Sequence, residues 1–219
     1  MSLEVLNKEI IACCKCPRLV AWREEVARKK RKAYRDQDYW GKPVPGFGDA
    51  KARVLVVGLA PGAHGSNRTG RQFTGDASGR FLYAALYRAG FANQASAESR
   101  SDGLILKNMY ITACVRCVPP GNKPNPEELN NCQSYLEREI QILKPKVIVC
   151  LGRTAFERVL KILAQAQRSF PFAHGKLYRI NEMWLLGSYH PSQQNTQTGK
   201  LTAAMFDEIW KKAKELCDE

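Results

Sequence analysis

The apolar positions of the chain fall into short continuous runs and longer stretches with a helical repeat. Runs rich in β-branched residues predict buried strands at residues 53–58, 109–113, 146–151, 177–180 and 184–187. Stretches with apolar residues every three or four positions predict helices at residues 3–13, 19–32, 78–89, 125–143, 154–163 and 201–216. Glycine, proline and aromatic residues predict a loop over residues 39–49.

The alternation of strands and helices predicts an α/β fold. We expect a single domain over residues 1–219, built as an α/β/α sandwich with a central, mostly parallel, four-stranded sheet flanked by helices. Residues 1–50 form N-terminal helices and a loop within that domain. Because ligands bind beyond the carboxyl ends of parallel strands, the chemistry is expected in the segments that follow the strands.

Charge adds an expected partner to this picture. Lysine and arginine total 34 against 21 acidic residues, a net charge of +13. This surplus favours binding to a polyanion, because each neutralised phosphate releases a counterion, although it also serves solubility alone. The sequence has no apolar run of about 18 residues, so we expect no membrane-spanning helix, and its start has no signal-peptide pattern. We therefore expect a cytoplasmic protein. Because its charge favours polyanions, we expect it to be associated with the nucleoid.

Four segments after predicted strands are too rich in glycine, proline and polar residues to belong to the core. They are residues 58–79, 114–124, 151–153 and 187–195. The first matches neither the phosphate-binding P-loop nor the dinucleotide-binding glycine motif, which argues against a nucleotide-binding fold.

Together and in this order, these segments resemble the uracil-DNA glycosylase superfamily over most of the chain. Gly-Leu-Ala-Pro-Gly at 58–62 resembles its first active-site motif, and His-Pro-Ser at 190–192 resembles its second. The segment 116–124 is similar to the iron–sulfur branch. The closest likeness is to family 5 (the UDGb group), of the iron–sulfur-containing thermophilic and archaeal type, at 60–70, 73–79 and 190–196.

The resemblance implies a monomeric, monofunctional DNA glycosylase that hydrolyses the glycosidic bond of uracil in DNA and initiates base excision repair. A non-catalytic nucleic-acid-binding protein with the same cysteines is the alternative. A metal-dependent nuclease is disfavoured, because the sequence has neither a zinc-protease helix motif nor a cluster of acids near these segments.

Eight cysteines in a chain expected to be intracellular point to metal binding rather than to disulfides. The resemblance implies a [4Fe–4S] cluster, which needs four thiolates, on Cys13, Cys16, Cys117 and Cys132. Cys114 and Cys117 also form a C-x2-C pair, which with Cys13 and Cys16 would make a zinc site. Both assignments remain open at this point.

The resemblance also implies the catalytic groups. His190 matches the histidine that faces the pyrimidine carbonyl, and Phe73 matches the aromatic residue that stacks on the flipped base. Leu59 stands where the uracil-specific branch has its water-positioning acid, and Asp76 resembles the family 5 water-activating residue. Asp76 is equally suited to be a helix N-cap. Asn122 is a further candidate for placing water or a phosphate.

The residues implied to bind the substrate are Gly58, Ala60, Pro61, Gly62, Phe73, Ala113 and Ser192. Ala113 stands where the uracil-specific branch has an asparagine that reads both edges of uracil. Alanine cannot hydrogen-bond, so the resemblance implies a wider range of bases: uracil, hydroxymethyluracil, ethenocytosine, hypoxanthine and xanthine.

Contacts to the DNA backbone are expected from several polar segments. Residues 193–195 would form the loop that wedges into the duplex. The candidates for phosphate binding are Ser66, Asn67, Arg68, Lys123, Ser188 and Ser192. The basic run 28–32 either follows the DNA backbone or forms a solvated helix face.

Overall fold

A computed structural model describes residues 2–163 and 170–218. Its strands are β1 (Phe47–Gly48), β2 (Val54–Gly58), β3 (Met109–Ala113), β4 (Val147–Leu151), β5 (Leu177–Ile180) and β6 (Met183–Ser188). Its helices are α1 (Leu3–Ile11), α2 (Pro17–Lys29), α3 (Ser66–Thr69), α4 (Ala77–Arg88), α5 (Pro126–Leu143), α6 (Arg153–Leu163), α7 (Gln193–Gln197) and α8 (Ala203–Asp218). No helix in this part of the chain is long and apolar enough to span a bilayer.

The sheet has the strand order β1-β3-β2-β4-β6-β5. The four central strands β3, β2, β4 and β6 are parallel, whereas β1 and β5 pair antiparallel at the two edges. The prediction of a four-stranded sheet was therefore wrong in number, although the parallel centre was right. β1 has two residues inside a loop-like segment, too few for a hydrophobic repeat, and β5 forms a hairpin with β6.

The central strands are buried on both faces, which explains their continuous apolar sequence. Val54 and Val56 of β2 face the layer formed by α4 and α8, while Leu55 and Val57 face the layer formed by α5 and α6. The α/β/α sandwich is therefore confirmed. The apolar layers on both faces of the sheet hold the strands in place. The segments that follow the carboxyl ends of the strands are therefore anchored to a rigid sheet.

Helix α5 begins at Pro126, one residue after the predicted start, and Asn125 is its N-cap. The Asn125 side chain accepts a hydrogen bond from the Glu128 amide, and the Glu128 carboxylate accepts one from the Asn125 amide, each at 2.8 Å. Glu128 also pairs with Arg18 of α2, with Nε and Oε1 2.7 Å apart. This pair connects the N-terminal segment to the first turn of α5.

Candidate active site

A cavity of about 780 Å³ opens beyond the carboxyl ends of the parallel strands. Its volume lies within the usual range for small-molecule sites. Its walls come from the segments after β2, β3 and β6, and the lining includes Ala60, Gly62, His64, Gln72, Phe73, Asp76, Asn122, His190, Ser192, Gln193 and Gln194. Three of the four predicted site segments therefore converge on one cavity, whereas Gly152 and Arg153 of the segment 151–153 line a neighbouring pocket.

Phe73 forms one wall of the cavity. Its backbone has a φ of 51°, a conformation that is uncommon for a non-glycine residue, and its amide donates to Ser66 Oγ at 3.0 Å. Gly58 lies beneath the ring, because a Cβ on that residue would be 2.8 Å from Phe73 Cζ. Glycine at the end of β2 thus makes room for the aromatic wall.

His190 forms the adjacent wall, and its ring centroid is 5.9 Å from that of Phe73. The residue follows β6, and the Asn195 side chain holds its backbone by donating to the His190 carbonyl at 2.8 Å. Burial lowers the pKa of His190 to about 4. The imidazole is therefore neutral at neutral pH and has one N–H to donate.

Asp76 is both the N-cap of α4 and part of the cavity lining. Its Oδ1 accepts from the Gly79 amide at 2.9 Å. Its Oδ2 lies close to the backbone of Gly62 and Gly65. A Cβ atom on Gly65 would be 2.0 Å from that oxygen, and a Cβ atom on Gly62 would be 2.9 Å from it, so this geometry requires glycine at both positions. Burial raises the pKa of Asp76 although the Gly79 amide and Arg80 act against the rise. Both interpretations of Asp76 are compatible with this geometry.

Other predicted residues lie at the rim or behind the wall. Asn122 is exposed, at a φ of 56°, in a tight turn that lines the cavity mouth. Gly58 and Ala113 are register partners at the ends of β2 and β3 and do not appear in the lining; nor does Pro61, which is buried. Gly58 therefore supports the wall and does not itself face the cavity.

Lys123 is exposed and Ser192 lines the cavity, but the other four candidates for phosphate binding are buried: Ser66, Asn67, Arg68 and Ser188. Asn67 and Ser188 are 0% exposed. Arg68 is buried, and its guanidinium donates to the His64 and Gly75 carbonyls at 2.7 and 3.0 Å. These side chains hold the loops of the site together, so their assignment to phosphates was wrong.

A link between the basic run and the cavity was not predicted. Tyr39 accepts a hydrogen bond from the Arg31 amide at 3.3 Å, and its hydroxyl lies 3.0 Å from His64 Nδ1. The run 28–32 therefore lies beside the cavity rim. A tyrosine at the start of a loop, 25 residues from its partner, carries no local signal for such a contact.

The four cysteines named for the cluster line one cavity between the N-terminal helices and α5. They are Cys13, Cys16, Cys117 and Cys132. Arg23 Nη1 donates to Cys117 Sγ at 3.1 Å, and Asn131 Nδ2 donates to Cys16 Sγ at 3.5 Å. Cys114 does not line this cavity and belongs to the apolar layer beside α5 and α6.

Two kinds of metal centre take four cysteine thiolates, an iron–sulfur cluster and a zinc ion. Within residues 2–163 and 170–218, no three histidine, cysteine or acidic side chains lie close enough together to bind a single metal ion. The four thiols supply the number of donors that a [4Fe–4S] cluster requires, and Cys114, which the zinc alternative needs, lies outside their cavity.

Comparisons with known proteins cover nearly the whole chain. The family model for the uracil DNA glycosylase superfamily matches residues 45–214. A Type-5 uracil-DNA glycosylase of Thermus thermophilus is 52% identical over 218 residues, 99% of this chain and 99% of that protein. Proteins of the same name from Mycobacterium leprae and Pyrobaculum aerophilum are 51% and 45% identical, covering 98% and 93% of this chain and 96% and 88% of their own lengths.

Proposed function

The chain belongs to the uracil DNA glycosylase superfamily, and we propose on this basis that its cavity binds a uracil flipped out of DNA and hydrolyses the bond to deoxyribose. The reaction releases the free base and begins base excision repair. The observation that carries the assignment is that Asp76, His190 and Phe73 line one cavity beyond the carboxyl edge of the sheet. The base reaches such a cavity only after it has left the stack.

Two groups divide the chemistry in this proposal. Asp76 accepts a proton from a water molecule, whose oxygen attacks the C1′ carbon of the sugar. The bond between C1′ and the base nitrogen breaks, and its electron pair leaves with the base. The neutral His190 donates its N–H to the base carbonyl, where the negative charge develops. Phe73 stacks on the base and keeps it in the cavity.

We further propose that the site accepts several bases. Strong rejection of a wrong base requires buried polar groups that pair only with the right one. Gln72 lines the cavity, but its amide nitrogen already donates to the Val44 and Pro45 carbonyls, at 3.2 and 3.4 Å, so both of its N–H groups are in use. The expected range is uracil, hydroxymethyluracil, ethenocytosine, hypoxanthine and xanthine.

The measurement for this proposal is the single-turnover release of each base from an otherwise identical duplex. We expect rates for uracil, hypoxanthine and xanthine within about 100-fold of one another, the discrimination typical of a pocket that relies on shape. Release of uracil alone would contradict the broad range and leave uracil hydrolysis standing. Release of no base would contradict both.

The basic run 28–32 is proposed to contact the DNA backbone, because the Tyr39–His64 contact places it beside the cavity. Each lost phosphate contact lowers the slope of log affinity against log salt by about 0.9. Changing Arg28, Arg31 and Lys32 to glutamine should therefore reduce the slope by about two or more. The control changes three exposed lysines away from the cavity, Lys107, Lys211 and Lys214, and should leave the slope unchanged. Equal effects of the two triple variants would refute the contact.

We propose that Cys13, Cys16, Cys117 and Cys132 hold a [4Fe–4S] cluster. The shared cavity and the hydrogen bonds to two of the thiols support this set. The cluster, when bound, supplies a cross-link between residues 1–50 and the middle of the chain. In this arrangement the segment 1–50 contributes two of the four ligands.

One pair of variants separates the cluster from the zinc alternative. Cys132 belongs only to the cluster set, and Cys114 belongs only to the zinc set. We expect Cys132→Ser to lose bound iron and visible absorbance, and Cys114→Ala to keep both. Metal analysis that finds one zinc per chain, retained in Cys132→Ser and lost in Cys114→Ala, would overturn the assignment.

We propose that the protein works as a monomer on nucleoid DNA in the cytoplasm. All the groups assigned to the reaction come from one chain, so the site needs no second copy. Sedimentation is expected to give the mass of a single 24.7 kDa chain without DNA, and that of one chain plus one duplex with DNA. A stable dimer at the concentrations of the activity assay would contradict the monomer.

A further inference from the structure

Arg23 of α2 is a buried cation with partners on two sides. The side chain is 4–5% exposed, and its Nη1 donates to Cys117 Sγ at 3.1 Å and to the Cys13 carbonyl at 3.2 Å. Its guanidinium thus contacts a cysteine near the N-terminus, Cys13, and a cysteine that follows β3, Cys117. Neither the reaction nor DNA binding, as proposed above, uses this residue.

The backbone of Arg23 makes the second connection. Its carbonyl accepts a hydrogen bond from Asn67 Nδ2 at 3.2 Å, and Asn67 is fully buried at the start of α3. The neighbouring Ser66 accepts the hydrogen bond from the Phe73 amide. Two adjacent residues of α3 therefore connect Arg23 to the aromatic wall of the cavity.

Charge distinguishes Arg23 from the other guanidinium beside the cysteines. Arg116 is also buried, but Glu139 neutralises it, with Nη2 and Oε2 2.6 Å apart. The acid nearest to Arg23 is Glu24, at 3.6 Å, and its side chain is 61% exposed, so water screens that pair. Arg23 is therefore positioned as a counterion for the thiolates themselves.

We propose that Arg23 is a positioning residue that couples the cysteine site to the catalytic loop. Its guanidinium stabilises the negative charge of the cluster thiolates, and its carbonyl holds α3 and, through Ser66, the backbone of Phe73. Loss of the cluster would then loosen α2 and shift Phe73 in the cavity. This inference rests on the proposed function and the proposed cluster.

The test uses the iron-loaded protein and three readouts: reduction potential, rate of iron loss to a chelator, and single-turnover uracil release. Net charge and hydrogen bonds to the sulfurs set the potential of such clusters. Arg23→Met is expected to make the potential more negative and iron loss faster. It should also slow uracil release about tenfold or more, since small misplacement in an active site has large effects. Arg23→Lys keeps the charge and is expected to restore most of the potential.

Asn67→Ala removes only the backbone connection. It should leave the potential and the iron loss at parental values while it slows uracil release about tenfold. The control is Lys8→Met, which removes an exposed cation of α1 paired with Glu4 and should change none of the three readouts. Thermal unfolding of each variant identifies any that fail to fold, and Asn67→Ser then replaces Asn67→Ala.

Several results would overturn the inference. An unchanged potential in Arg23→Met would refute the contact with the cluster. Parental uracil release in Arg23→Met or in Asn67→Ala would refute the coupling to the catalytic loop. The parent protein is measured in the same series, so absence of uracil release from the parent would count against the proposed function and not against Arg23.

Discussion

Asp76→Asn is expected to lower the single-turnover rate of uracil release by about 10²- to 10⁴-fold, the usual contribution of a general base. The variant distinguishes the two interpretations of Asp76. Asparagine is as good an N-cap as aspartate and keeps an oxygen to accept from the Gly79 amide, so α4 remains capped. It cannot accept a proton from water. A large loss of rate in a stable protein would therefore identify the carboxylate as the base.

The pH dependence provides a second measurement on the same residue. Burial raises the pKa of Asp76, so the rate in the parent should increase as the pH rises through that pKa and the carboxylate loses its proton. The rise should be absent in Asp76→Asn. For stability the sign is opposite: a pKa that is raised by folding favours the protonated native state, and this stabilisation is lost as the pH rises. Asp76→Asn should thus be at least as stable as the parent at neutral pH.

An active Asp76→Asn variant would contradict the role of Asp76 as general base. If Asp76→Asn releases uracil at the parental rate, Asp76 is a helix cap alone. Asn122, at the cavity rim, then becomes the candidate for placing water. Asp76→Ser provides a check, because serine also caps helices but has no carboxylate. Its rate of uracil release should be the same as that of Asp76→Asn.

His190→Ala is expected to reduce uracil release by about 10²- to 10³-fold, the range found when one donor to a developing anion is removed. The imidazole lies in the cavity wall, with its ring centroid 5.9 Å from that of Phe73, and burial lowers its pKa to about 4. A neutral imidazole donates one hydrogen bond without the cost of burying a charge. DNA affinity should change little, because the donor acts on charge that appears during the reaction.

The protonation state of His190 provides a control for its role as a neutral donor. With a pKa of about 4, His190 should not titrate in the catalytic pH range, so above about pH 5 the rate should follow Asp76 alone. Titration of the His190 ring by nuclear magnetic resonance measures this directly. His190→Asn retains a donor and should lose less activity than His190→Ala. Equal losses in both, or a ring pKa above 6, would contradict the role of a neutral donor.

The sheet and the long helices were predictable because their signals are local. The central strands are continuous apolar runs buried on both faces, and α5 has an N-cap, a proline and two acids at its start. The site could be placed at the carboxyl edge of the sheet for the same reason, since polar, glycine-rich segments follow the strands. The order of these segments then carried the family resemblance.

The remaining features depend on contacts between distant residues. β1 has two residues, and α3 and α7 have four and five, too few for a periodic pattern. Asn67 and Arg68 are polar residues in a loop-like sequence and would be expected at the surface, yet both are buried by partners from other segments. Sequence pattern gives polarity but not the tertiary partner, so it assigned phosphate contacts to side chains that hold the loop.

The most direct test of uracil hydrolysis in this cavity is the analysis of products from a uracil-containing duplex incubated with the parent and with an Asp76→Asn, His190→Ala double variant. We expect the parent to release free uracil and to leave an abasic strand that stays intact until alkali cleaves it. The double variant should bind the same duplex and release no uracil over an incubation in which the parent completes the reaction. Tight binding by the parent without free uracil would establish a non-catalytic DNA-binding protein and contradict the account.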